Sequence, residues 1–71
     1  MKVGTRVKMA AAFKRRMATT DRGHVEEFGR CVGTVEGPVD YGRQLGPELN
    51  VRWAPSGLRY VYAPEDLVLV N

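Results

Sequence analysis

The chain has 71 residues, 44% apolar and 27% charged, with a formal net charge of +3. That balance belongs to one globular domain and excludes a disordered chain, although a domain this short buries only roughly 60% of the surface its unfolded form exposes. The single Cys31 excludes an internal disulfide, charges at Lys2, Arg6 and Lys8 interrupt any secretory leader, and no run approaches the roughly 18 apolar residues of a membrane span, so a reducing, cytoplasmic setting is expected.

Lys2 to Met9 alternates, with Val3, Thr5, Val7 and Met9 on one face and Lys2, Gly4, Arg6 and Lys8 on the other. A period of two with one charged face predicts a half-buried strand. Residues 10 to 28 form a long excursion. Ala10, Ala11, Ala12, Lys14, Arg15, Arg16 and Met17 favour helix, and Met9, Phe13 and Met17 are spaced to share one helical face. A helix of about nine residues is marginal unless that face packs. A turn at Asp21-Arg22-Gly23 competes with it. The reading is an irregular loop with partial helical character.

Gly29 to Val35 predicts a second strand, with Gly33 marking a bulge or a close backbone approach. A connection punctuated by Gly37-Pro38, Gly42 and Gly46-Pro47 follows, of the length that often carries function. Glu48 to Ala54 is a third strand, with Leu49, Val51 and Trp53 on one face. Ala54-Pro55-Ser56-Gly57 has the residue pattern of a type I turn, and Leu58 to Tyr62 returns as a fourth strand, completing a hairpin. Ala63 to Leu67 reads as one helical turn, with Pro64 and two acids suited to its start, and Leu67 to Val70 as a short last strand. Five short strands either close on themselves or leave bare edges, so a mostly β, five-stranded small barrel is expected.

The chain resembles the SH3-like barrel superfamily. Val3-Gly4-Thr5-Arg6-Val7 resembles its Gly-x-x-Val first strand, and Gly29 with Val32-Gly33-Thr34-Val35 resembles the second strand of KOW-type and Mind-bomb-type barrels. Val51-Arg52-Trp53, then Gly57, Tyr60 and Asp66-Leu67, is similar to the ending of Mind-bomb-type modules, although Ala54 stands where those usually carry an acid. The resemblance implies a fold, with one helical turn before the last strand, and names no ligand.

Little in the sequence points to catalysis. His24 and Cys31 lack the two further ligands of a structural zinc site, so no metal is expected; His24 reads as a surface loop residue and Cys31 as a small buried hydrophobe. Glu26-Glu27 and Glu65-Asp66 are adjacent pairs that extended backbone would point apart, and Gly42 to Gly46 lacks the signature of a phosphate loop. A barrel this small fills its interior with side chains and has no room for a cofactor or a small-molecule substrate.

The surface remains. Residues 1 to 22 hold seven bases against one acid, net +6, whereas residues 23 to 71 hold four bases against seven acids, net −3. Lys14, Arg15 and Arg16 form a cation run, and Arg52 and Arg59 alternate out of paired strands and are expected near each other. Among the aromatics, Trp53 is expected in the core and Tyr41 on the surface. With Arg43 and Tyr60 these cations and Tyr41 make up the candidate binding surface. A merely solvated face competes with that assignment.

Two functions follow. The first is a non-catalytic protein-interaction or assembly module, self-association included. The alternative is nucleic-acid binding through the basic N-terminal third. The Arg-, Ala- and Gly-rich usage and the short length suit a bacterial or phage accessory protein.

Overall fold

A computed structural model describes residues 2–39 and 48–70, without the side chains of Pro38 and Val39. The protein is mostly β: five antiparallel strands in one sheet, with two short helices. In chain order these are β1 (Arg6–Met9), α1 (Ala11–Met17), α2 (Arg22–Phe28), β2 (Gly33–Val39), β3 (Glu48–Trp53), β4 (Arg59–Tyr62), a 3-10 turn (Pro64–Asp66) and β5 (Leu67–Leu69). The sheet order is β4-β3-β2-β1-β5. Among the described residues the expected closure is not seen; β4 and β5 are the two edges.

The alternation of strand residues decides which face is covered. Val7 and Met9 of β1, Val35 of β2, Leu49, Val51 and Trp53 of β3, Tyr62 of β4 and Leu67 of β5 are buried together. Each such side chain contributes about 1.5–3 kcal/mol of burial. β1 is shorter than its Lys2–Met9 pattern, because Val3 and Gly4 turn, Gly4 at φ +91°, and leave Val3 exposed. Thr5 N–H closes that turn on the Lys2 carbonyl at 3.1 Å.

The excursion differs most from expectation. It is two helices rather than an irregular loop, and both contribute to the core through Phe13 and Phe28. Met9 lies on β1, so the Met9, Phe13, Met17 stripe is not one helical face. Asp21 does not centre a turn; its side chain caps α2, accepting the His24 N–H at 3.3 Å. Tertiary packing stabilises these seven-residue helices, which would be marginal alone. Ala10 N–H donates to the Asp66 carbonyl at 2.8 Å, tying the start of α1 to the 3-10 turn.

Because α2 runs to Phe28, β2 begins at Gly33 and not Gly29. Gly33 is the expected close approach: an added Cβ would collide with Val51 and lie 2.9 Å from the Trp53 ring. The bulge sits further along, between Val35 and Gly37, with Gly37 at φ +146°. The β3–β4 hairpin pairs as expected, Leu49 with Tyr62 and Arg52 with Arg59. Its turn does not close as the expected type I turn would, on the Ala54 carbonyl; Gly57 N–H reaches one residue further back, to the Trp53 carbonyl at 2.7 Å. Among the described residues no helix is long and apolar enough to cross a membrane.

Candidate functional site

The two helices and β4 enclose a cluster of rings. Phe28 of α2 lies 6.0 Å from Trp53, nearly parallel, and 5.2 Å from Tyr60. His24, one helical turn earlier, meets the Tyr60 ring edge-on at 4.8 Å. Phe13 of α1 meets Tyr62 edge-on at 5.5 Å. These perpendicular and offset arrangements are the favourable ones for ring quadrupoles.

A hydrogen-bonded chain runs through the cluster. Trp53 Nε1–H donates to Tyr62 Oη at 2.8 Å, and Tyr62 Oη lies 2.6 Å from His24 Nε2. An indole nitrogen only donates, so the phenol oxygen accepts there and keeps one lone pair and its own hydrogen for the contact with the imidazole. Among the described residues no buried side-chain nitrogen or oxygen is left without a partner. Burial pushes the Tyr62 phenol up to about 12, against the opposing effect of the Trp53 hydrogen bond and with a smaller contribution from Tyr60.

Between this cluster and the helices lies an open groove of about 310 Å³. Phe13, Met17, Asp21 and His24 form one wall and Tyr60, Val61 and Tyr62 of β4 the other. Tyr60 is 40% exposed on the rim. The walls are aromatic and thioether with a few polar groups, as in surfaces that hold a partner's side chain. Among the described residues β4 pairs only with β3, so its far side, along the groove, offers backbone donors and acceptors.

The sequence-predicted cations are distributed over several faces. Lys14 lines a second open depression, of about 330 Å³, with Val25, Glu26, Gly29 and Arg30. Arg16 turns to the 3-10 turn, binding Asp66 Oδ1 at 3.0 Å with its guanidinium 5.5 Å from the Phe13 ring. Arg15 stays exposed. On a helix, consecutive residues do not face one another, so the run is not one patch. Arg52 and Arg59 do come together, directly opposite across β3 and β4, and both bind Glu36, at 2.9 and 3.2 Å. Tyr60 lies apart from them, on the groove. Tyr41 and Arg43 fall outside the described residues.

His24 is not a surface loop residue; it is half-buried on α2. With Phe13, Met17 and Tyr62 it was absent from the sequence-predicted site. The four-residue spacing of His24 and Phe28, just after an Asp cap, carried the signal but is weak without the knowledge that α2 forms. Cys31 lies just before β2, half-buried, its thiol 3.4 Å from the Glu27 carbonyl. Among the described residues no group of three or more His, Cys, Asp or Glu side chains is placed to hold a metal. Comparison with known families, curated proteins and solved structures finds no match for this chain.

Proposed function

We propose that this chain is a non-catalytic protein-interaction module that takes an extended segment of a partner along the outer edge of β4. The observation that carries this reading is the groove itself, an aromatic and thioether trough lying beside a strand edge that is unpaired among the described residues. Strand addition gives affinity through main-chain hydrogen bonds, and a neighbouring trough gives specificity by taking an apolar side chain. Tyr60 on the rim is the residue type that dominates such contacts.

The same reading takes the open sheet as part of an SH3-like barrel. Its support is the strand order β4-β3-β2-β1-β5, the bend of β2 at the Val35–Gly37 bulge and the 3-10 turn before β5. A module of this kind with one unpaired Cys31 suits the cytoplasm.

The test is selection of displayed peptides on the folded protein, repeated on Tyr60→Ala. Peptides recovered with an apolar anchor on the wild type and lost on Tyr60→Ala support the reading. No enrichment, or equal recovery on both, rejects it. Sedimentation at high concentration identifies a second copy as the occupant if the species is a dimer that Tyr60→Ala dissociates.

A further inference from the structure

The strand register places three arginines in one line on the face of the sheet opposite the core. Arg6 pairs with Thr34, Thr34 with Arg52, and Arg52 with Arg59, so four adjacent strands contribute one transverse row. All four residues are exposed; Arg6, Thr34 and Arg52 alternate with the buried Val7, Val35, Val51 and Trp53, and Arg59 stands directly opposite Arg52, which fixes the row on the outer side. At about 4.8 Å per strand the row extends roughly 14 Å. Lys8, also exposed, continues the charge two residues along β1.

Glu36 is the carboxylate bonded to this row, holding Arg52 and Arg59 through its two oxygens. The two guanidiniums keep 47% and 58% of their side-chain surface in water. Arg6 has no ion-pair partner among the described residues. One carboxylate against three arginines leaves the row cationic.

We propose that this row binds the phosphodiester backbone of nucleic acid, independently of base sequence. Charge complementarity selects the ligand: guanidiniums present a planar fork that matches phosphate oxygens, and the Thr34 hydroxyl between them adds a donor. A protein partner of ordinary kind needs an apolar patch at the centre of its contact, and the row is made only of charged and hydroxyl groups. A phosphate backbone requires no such patch, since counterion release supplies the affinity. No aromatic side chain belongs to the row, so base stacking contributes nothing there and single strand and duplex share the same chemistry. This surface is on the opposite side of the sheet from the β4 groove and does not depend on it.

Fluorescence anisotropy with a labelled oligothymidylate and a labelled mixed-sequence duplex, between about 50 and 200 mM salt, tests the proposal. Binding of either probe, weakening with salt, is expected, and the stronger probe identifies the source. Each of Arg6→Ala, Arg52→Ala and Arg59→Ala should weaken binding and lower the salt slope by about 0.9 on duplex or 0.7 on single strand. Glu36→Gln should tighten binding, because it unmasks two guanidiniums; a purely structural ion pair predicts no gain. Arg15→Ala and Tyr60→Ala should leave affinity unchanged, which separates this proposal from the groove. The thermal melt of each variant checks that it folds, and Arg52→Lys should keep most of the salt slope. Absence of binding at the lowest salt, affinity for poly-glutamate equal to that for DNA, or undiminished affinity in the triple Arg→Ala variant would overturn it.

Discussion

Trp53 of β3 and Tyr62 of β4, which pairs with Leu49 rather than with Trp53, are joined by an indole-to-phenol hydrogen bond of 2.8 Å inside the core. Trp53 is 0% and Tyr62 4% exposed, so neither has water as an alternative partner. The bond and the ring contact at 5.6 Å tie β4 to β3 on the face where Phe13 and Phe28 of the helices pack.

Tyr62→Phe preserves the ring and deletes the hydroxyl. It leaves the Trp53 N–H buried without an acceptor and releases His24 Nε2. The expected loss is about 1–3 kcal/mol. At about 4–8 °C per kcal/mol for a domain of this size, the melting temperature drops measurably by circular dichroism. An unchanged melting temperature would show that the Trp53–Tyr62–His24 chain adds nothing to stability.

Alkaline pH should act through the same phenol. An unfolded tyrosine ionises near pH 10, whereas folded Tyr62 keeps its proton to about pH 12. Between those values the unfolded state holds fewer protons, so stability falls as pH rises. The contribution is whole below pH 10 and lost by about 12, on the order of 2–3 kcal/mol. A spectrophotometric titration of tyrosinate should show a late phenol that Tyr62→Phe removes. Uniform titration near the ordinary value would contradict this.

Gly33→Ala tests the closest contact in the sheet. The added methyl meets the Val51 side chain and the Trp53 ring, both 0% exposed and unable to withdraw. Overpacking of this kind costs about 1–3 kcal/mol. Gly23→Ala on α2, where the nearest atom, Asp21 Oδ1, is 4.0 Å away, should cost nothing or stabilise the helix. Denaturant midpoints of the two variants should therefore move in opposite directions or differ clearly.

Phe28→Ala asks whether the excursion belongs to the core. Phe28 is 1% exposed and fills the space between His24, Tyr60 and Trp53. Its truncation is expected to cost about 3–5 kcal/mol, close to the whole stability of a marginal domain. Loss of the cooperative unfolding transition is the predicted result. A mild effect would mean that residues 10–28 pack only loosely on the sheet.

Strand identity and facing were legible in the residues themselves. The alternation in Glu48 to Trp53 placed Leu49, Val51 and Trp53 inward and Arg52 outward, and the structure agrees. The helical turn at Pro64–Asp66 and the meeting of Arg52 with Arg59 were equally readable, because period-two patterning, turn chemistry and hairpin register are local. The excursion was not. Its two seven-residue helices lack the length to declare themselves, and Asp21-Arg22-Gly23 reads as well for a turn as for a helix start. What turned them into helices is the burial of Phe13 and Phe28 against the sheet, which no local pattern specifies. The groove and the Arg6, Thr34, Arg52, Arg59 row likewise exist only once β1, β2, β3 and β4 have found their register. Most of the strands and their inward faces could be read along the chain, because side-chain alternation is a property of the backbone, with Val3 and the start of β2 the exceptions; which distant residues became neighbours was settled only in three dimensions, because strand pairing and helix packing join segments that local chemistry leaves unrelated.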